Sequence, residues 1–396
     1  YNDLGNEHAA VRLGAVHALA HLADDAPTDE LRQTCIDVLC AYLRMPYDPR
    51  PAPLPDDASD EQRTEHRKRT LEFESFQQVR HTIIRIIGQR LREDTPWRGR
   101  DFDFTGTVFD GGDLHGAHFT GGTVLFRDAR FVEGTVDFSH AVFSSDIVDF
   151  SGAELFGGTV DFTGVEVDAP DVMASLGRLL KQRGEKAEAE SWYQKAAEKG
   201  HTDAMVNLGI LLVERGEKAE AEVWWRRAAD AGNPTAMVSL GHLHMGRREK
   251  AEAEVWWRRA ADAGNPTAMA LLGDLLVERG ELDGAKSWLR RAAEKGHTIA
   301  MASLGILLKQ RGELDAKSWL RRAAEKGHTI AMASLGILLV ERGEKAEAES
   351  WYQKAAEKGH TDAMVNLGIL LVERGEKAEA EVWWRRAADA GNPTAM

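Results

Sequence analysis

Histidine, cysteine and the carboxylates are the side chains of this 396-residue chain that could do chemistry, and their spacing leaves most of them little to do. His201, His297, His328 and His360 recur at one position of a repeating unit, each directly after a glycine that closes a helical run. A shared metal ion needs its ligands within about 2 Å, whereas stacked helices stand roughly 10 Å apart, so these histidines read as helix caps. Cys35 and Cys40 lie in one apolar-periodic segment, spaced neither as a redox pair nor as a metal knuckle, and no base is placed to activate them. They read as packing residues of a protein in a reducing compartment. The glycine pairs Gly111-Gly112, Gly121-Gly122 and Gly157-Gly158 lack the helix start and lysine of a phosphate cradle and read as corners of a coil. No HExxH, CxxC or GxSxG occurs, so the chain is expected to be no enzyme and to hold no cofactor or metal.

Recognition is the chemistry that remains. In a unit repeated from residue 169 onward, one position varies as Arg178, Ile210, His242, Asp274, Ile306, Ile337 and Ile369, and three residues further on stand Lys181, Val213, Met245, Val277 and Lys309. The residues between them hardly change. Ten of the eleven tryptophans, all but Trp97, sit in the second half of the unit, some as pairs such as Trp224-Trp225, with one of each pair facing a core and the other half exposed.

Those positions are held by helices. Met173, Met205, Met237, Met269, Met301, Met332, Met364 and Met396 mark steps of 32 residues, with one step of 31 where Glu313-Leu314-Asp315-Ala316 lacks a glycine. Residues 183–237 and 342–396 are identical. Met205, Leu208, Gly209 and Leu212 make one helical stripe, Ala221, Trp225 and Ala228 a second, and Gly232 before Asn233-Pro234 ends the pair. A lone pair cannot bury its faces, but stacked pairs can. These residues, with the Ala-Ala-x-x-Gly-Asn run that leads to Met237, resemble the tetratricopeptide superfamily and its Sel-like branch. The period is shorter than that family's, and Leu stands where it has an aromatic in the first helix. The resemblance implies an α-solenoid of seven helix-turn-helix repeats, 169–396, whose varying positions line a concave groove for a partner peptide or helix. The invariant Arg-Gly-Glu-Lys/Leu loop argues that this variation is more than surface drift. Arg178, His242 and Asp274 would then discriminate between partners, and the Ile/Val positions would grip.

Residues 101–168 follow another period. Phe104, Phe109, Leu114 and Phe119 step by five, and Phe126/Phe131, Phe138/Phe143 and Phe150/Leu155 recur every twelve, with Ala129, Ala141 and Ala153 two places before the second member. Five residues per side of a square coil place one large and one small residue inward. The pattern resembles the pentapeptide-repeat family, a short right-handed quadrilateral β-helix with phenylalanines stacked along its axis. With roughly twenty residues per coil and strands about 4.8 Å apart, three coils stand about 15 Å tall. The Gly-Thr-Val triplets at 122–124, 134–136 and 158–160 break the strict fives.

Residues 1–100 read as a helical unit: one helix carries Val11, Leu13, Val16, Leu19 and Leu22, a second runs from Leu31 to Leu43, and a third spans Phe73 to Leu91 around Ile83, Ile84, Ile86 and Ile87. Loop 46–61 is proline-rich, then acidic, and is expected to be extended and mobile. The Ala10-Val11-Arg12-Leu13-Gly14 start resembles a unit of actinobacterial pentapeptide-repeat proteins, which implies a membrane anchor upstream of Tyr1. No membrane contact is expected within the chain itself.

The net charge of -14 is concentrated. Residues 101–168 carry 2 basic and 13 acidic side chains, while 169–396 carry 34 of each. Non-specific nucleic-acid binding is thereby disfavoured. The leading expectation is a cytoplasmic scaffold or adaptor that binds a protein in the repeat groove. Two alternatives are an acidic coil that mimics DNA towards an enzyme such as gyrase, and the cytosolic receptor arm of a membrane-anchored signalling or defence assembly. End-to-end self-association is expected through the last repeat, whose apolar face has no polar closing helix.

Overall fold

The computed structural model describes residues 2–5, 8–48, 50–144 and 147–395, so Met396, the last marker of the repeat series, lies outside the described residues. Its chain forms two compact units, Tyr1–Lys218 and Ala219–Met396.

The first unit opens with α1 (Ala9–Asp24), α2 (Asp29–Arg44) and α3 (Asp60–Arg92). In α1 the buried face is Arg12, Val16, Ala20 and Ala23, while Val11 and Leu22 of the expected stripe are exposed. Small residues win because α1 packs against both α2 and α3, and the Arg12 guanidinium lies over the Phe76 ring at 4.4 Å. α3 begins at Asp60 instead of Phe73. A capping box starts it: Gln62 N–H donates to Ser59 Oγ at 3.2 Å, and Ser59 N–H to Gln62 Oε1 at 2.8 Å. The stretch 62–70 is polar and helix-favouring but has no apolar period, which is why periodicity misses it. The loop before it is tethered: Tyr47 stacks on Phe73 at 5.5 Å and His66 Nε2 hydrogen-bonds the Ala52 carbonyl at 2.9 Å.

Four parallel three-stranded sheets follow: Phe102–Asp103, Thr123–Leu125 and Ile147–Asp149; Val108–Phe109, Arg130–Phe131 and Glu154–Leu155; Gly112–Asp113, Thr135–Asp137 and Thr159–Asp161; His118–Thr120, Val142–Ser144 and Glu166–Val167. Thr135 and Thr159, which are register partners, are 24 residues apart, so a coil takes 24 residues and not the expected twenty. The Gly-Thr-Val triplets supply the difference. Val124, Val136 and Val160 are buried as an additional inward residue on two of the four sides, beside Phe126, Phe138 and Phe162. The phenylalanines stack as expected, with Phe104 on Phe126 at 4.9 Å, Phe126 on Phe150 at 4.6 Å and Phe119 on Phe143 at 5.1 Å, and Ala129, Ala141 and Ala153 are fully buried.

Both ends of this coil are covered. α3 crosses the first coil so closely that a Cβ on Gly88 would stand 2.4 Å from the Asp113 carbonyl oxygen. At the far end lies α4 (Pro170–Arg183), with α5 (Lys186–Glu198) and α6 (Thr202–Arg215) after it.

The second unit holds α7 (Lys218–Asp230) and then a run of helix pairs: α8 (Pro234–Gly246) with α9 (Lys250–Asp262), α10 (Pro266–Glu278) with α11 (Leu282–Glu294), α12 (Thr298–Gln310) with α13 (Ala316–Glu325), α14 (Thr329–Glu341) with α15 (Lys345–Glu357), and α16 (Thr361–Arg374) with α17 (Lys377–Asp389). The invariant glycine lets partners touch: a Cβ on Gly241 would meet Trp257 Nε1 at 2.2 Å, and one on Gly273 the Leu289 side chain at 2.6 Å. Where the sequence drops a glycine, α13 shrinks to 10 residues from the 13 of α11, and Leu314 is left 85% exposed.

Candidate partner-binding face

Within the first helices α8, α10, α12, α14 and α16, the Ala, Met, Leu, Gly and Leu positions are buried, and the varying positions lie on the remaining face. α12 packs against α10 on one side and α14 on the other, and Lys309 reaches Glu341 of α14 at 3.0 Å. Along this face Ile306 is half-buried, Ile337 is 37% exposed and Ile369 47%. Met245 and Val277 are half-buried. Sequence reasoning missed Ile299 and Ile330, two helical turns before Ile306 and Ile337 and more than half exposed. Their position varies as Asp203, Thr235, Thr267, Ile299, Ile330 and Asp362, so the comparison between repeats that singled out Asp274 would also find them.

Two polar residues interrupt the isoleucines. His242 is exposed, with its ring edge-on to Trp257 at 5.6 Å, and partial burial pushes its pKa down. Asp274 is half-buried; burial raises its carboxyl above the ordinary range, against a hydrogen bond from Ser303 and the nearby His297 that partly offset it.

In the first unit the structure gives Arg178 another task. Its guanidinium donates to the carbonyls of Ala153 at 3.0 Å and Phe150 at 2.7 Å, closing the last coil together with Arg183 on Val160. Lys181, Ile210 and Val213 are half-buried on α4 and α6.

The remaining chemical candidates resolve into structural roles. His201, His297, His328 and His360 are N-caps, each accepting at Nδ1 from a backbone N–H three residues on, at 3.0 to 3.2 Å. Of the paired tryptophans, Trp225 and Trp257 are buried, while Trp224 and Trp256 lie beneath Arg227 and Arg259 at 4.6 and 4.5 Å. Trp288, Trp319 and Trp351 carry the same cation lid. Cys35 and Cys40 are free, and burial, helped by Asp37, pushes the Cys40 thiol up to about 12. The Arg-Gly-Glu-Lys loop is constant for a reason of its own: Arg215 holds Glu190 at 2.9 Å and Glu217 at 2.7 Å, and Arg374 repeats this with Glu349 and Glu376. It is therefore a constrained segment and no measure of free drift.

Comparison with known proteins follows this geometry. Family models match pentapeptide repeats over residues 104–154, tetratricopeptide repeats over 171–200, 202–231, 238–298, 330–359 and 361–390, and a Sel1 repeat over 299–328. No curated protein matches. Among solved structures, a protective antigen present in uropathogenic Escherichia coli strains and displaying an SLR fold is 28% identical with a TM-score of 0.50, over 57% of this chain and 55% of that one. This chain thus spans little more than half that antigen's length. A Sel1 repeat protein from Oxalobacter formigenes is 28% identical with a TM-score of 0.47, over 57% of this chain and 74% of that one.

Proposed function

We propose that this chain, in which pentapeptide-repeat coils lead into tetratricopeptide and Sel1 repeats, is a non-enzymatic scaffold that holds a segment of another protein on the first-helix face of its repeats. One observation carries the reading. Ile299, Ile306, Ile330, Ile337 and Ile369 stand partly or largely in solvent on one face of successive first helices, above an Ala/Leu/Gly core that is the same in every repeat. A shared apolar stripe of this kind gains by being covered. The free thiols fit a reducing cytoplasm. A receptor arm of a membrane-anchored assembly would use the same face; among the described residues no helix is long and apolar enough to cross a membrane.

A peptide library tests this with the partner unidentified. Random linear peptides displayed on phage are selected on the full chain, and the binders are measured against a variant carrying Ile306→Asp and Ile337→Asp. Affinity is expected to fall at least about tenfold; unchanged affinity would assign binding to another surface.

A further inference from the structure

Building on that reading, we propose that Asp274 receives a single lysine or arginine side chain of the bound segment, while Ile306, Ile337 and Ile369 hold its apolar side chains. The repeats themselves supply the comparison: the position filled by Asp274 is isoleucine at Ile306, Ile337 and Ile369, so the common residue there is apolar and the aspartate is a departure confined to one helix. The departure is a costly one. Asp274 is half-buried on α10, and a desolvated carboxylate has four lone-pair sites to satisfy. Ser303 supplies one hydrogen bond. His297 is near, but its Nδ1 is an acceptor from Ala300 N–H at 3.2 Å, which leaves the ring neutral with its proton on Nε2. Among the described residues no lysine or arginine pairs with Asp274, whereas the neighbouring carboxylates are taken: Glu278 by Lys250 at 3.2 Å, Glu341 by Lys309 at 3.0 Å and Glu373 by Lys345 at 2.7 Å. The face thus offers one half-desolvated, unneutralised carboxylate at the edge of an apolar stripe. A cationic side chain flanked by apolar residues complements both.

The phage-selected peptides test this, now with Asp274→Ile and Asp274→Asn. The expected result is a shared lysine or arginine among the binders, an affinity loss of about 30-fold in both variants, and no further loss when that basic residue is replaced by norleucine in the variant background. Asp274→Ile, which installs the residue of the other repeats, is expected to raise the melting temperature, so its loss of binding is not a loss of fold. Binders that need Ile337 but carry no basic preference and bind Asp274→Asn unchanged would overturn this inference and leave the scaffold reading standing. Binders indifferent to both sites, or no binders at all, would overturn both.

Discussion

Arg248 shows at a single residue what a repeat costs when its pattern breaks. In the turns between first and second helices the left-handed backbone position is held by Gly216, Gly280, Gly343 and Gly375, and the third repeat puts Arg248 there at φ 65°. A Cβ in that region costs roughly 1–2 kcal/mol, of which the greater freedom of an unfolded glycine returns part. Arg248→Gly is therefore expected to stabilise the chain by about 0.5–1 kcal/mol, seen as a higher urea midpoint at unchanged slope. A lower midpoint would mean that the guanidinium makes contacts worth more than the strain. The broken Arg-Gly-Glu-Lys pattern is legible in the sequence; the strain is not, because φ is imposed by the hairpin. Asp274 is a similar case: comparing repeats finds the position, but only packing shows that its carboxylate is half-buried and that Arg178, at the equivalent position, closes a coil instead.

At the scale of elements, the attachment of α3 to the first coil rests on one carboxylate. Phe109 pairs with Phe131 but Gly112 with Val136, so the corner at Asp110-Gly111 is two residues shorter than the next one and draws Asp110 under the helix. There Tyr47 Oη donates to it at 2.7 Å and Gln77 Nε2 at 2.8 Å, and His81 Nε2 lies at 2.9 Å. Burial alone would raise this carboxyl, but the hydrogen bonds from His81, Tyr47 and Gln77 outweigh it and hold the carboxyl below its ordinary 3.8. A lowered folded value means stabilisation that is complete above that ordinary value and is lost as pH falls through the folded one. Asp110→Asn should thus cost about 2 kcal/mol at neutral pH, with the difference in melting temperature shrinking below pH 3.8. A difference that stays constant into strong acid would show that the charge contributes nothing. None of this corner is legible in the sequence, since fives and twelves reveal what faces the axis and not which helix lies across the end. The apolar-faced helices and the phenylalanine columns are legible, because their periods record burial directly; the polar start of α3, set by a cap, is not.

For the molecule as a whole, the net charge of -14 suggests a surface waiting for a basic partner, and the coil's own architecture accounts for much of it. Asp113, Asp137 and Asp161 stack in register on one sheet. Each accepts from the backbone N–H two residues on, at 3.0, 2.8 and 2.8 Å, as do Asp103 and Asp149 on another side. Arg44, Arg92 and Arg127 then neutralise Asp103, Asp113 and Asp149. Aspartate recurs here because its side chain closes the corner turn, with the charge as a by-product that costs repulsion along the stack. A DNA mimic needs the reverse, charges free to meet an enzyme's cations. The two accounts separate at Asp137. If the turn bond is what matters, Asp137→Asn keeps an acceptor oxygen, relieves the repulsion and melts no lower than the parent in low salt, while Asp137→Ala loses about 1 kcal/mol. The parent chain should also leave DNA supercoiling by purified gyrase uninhibited. Inhibition by the parent that Asp137→Asn abolishes would return the acidic coil to the centre of the function, and the helical face would then be its accessory.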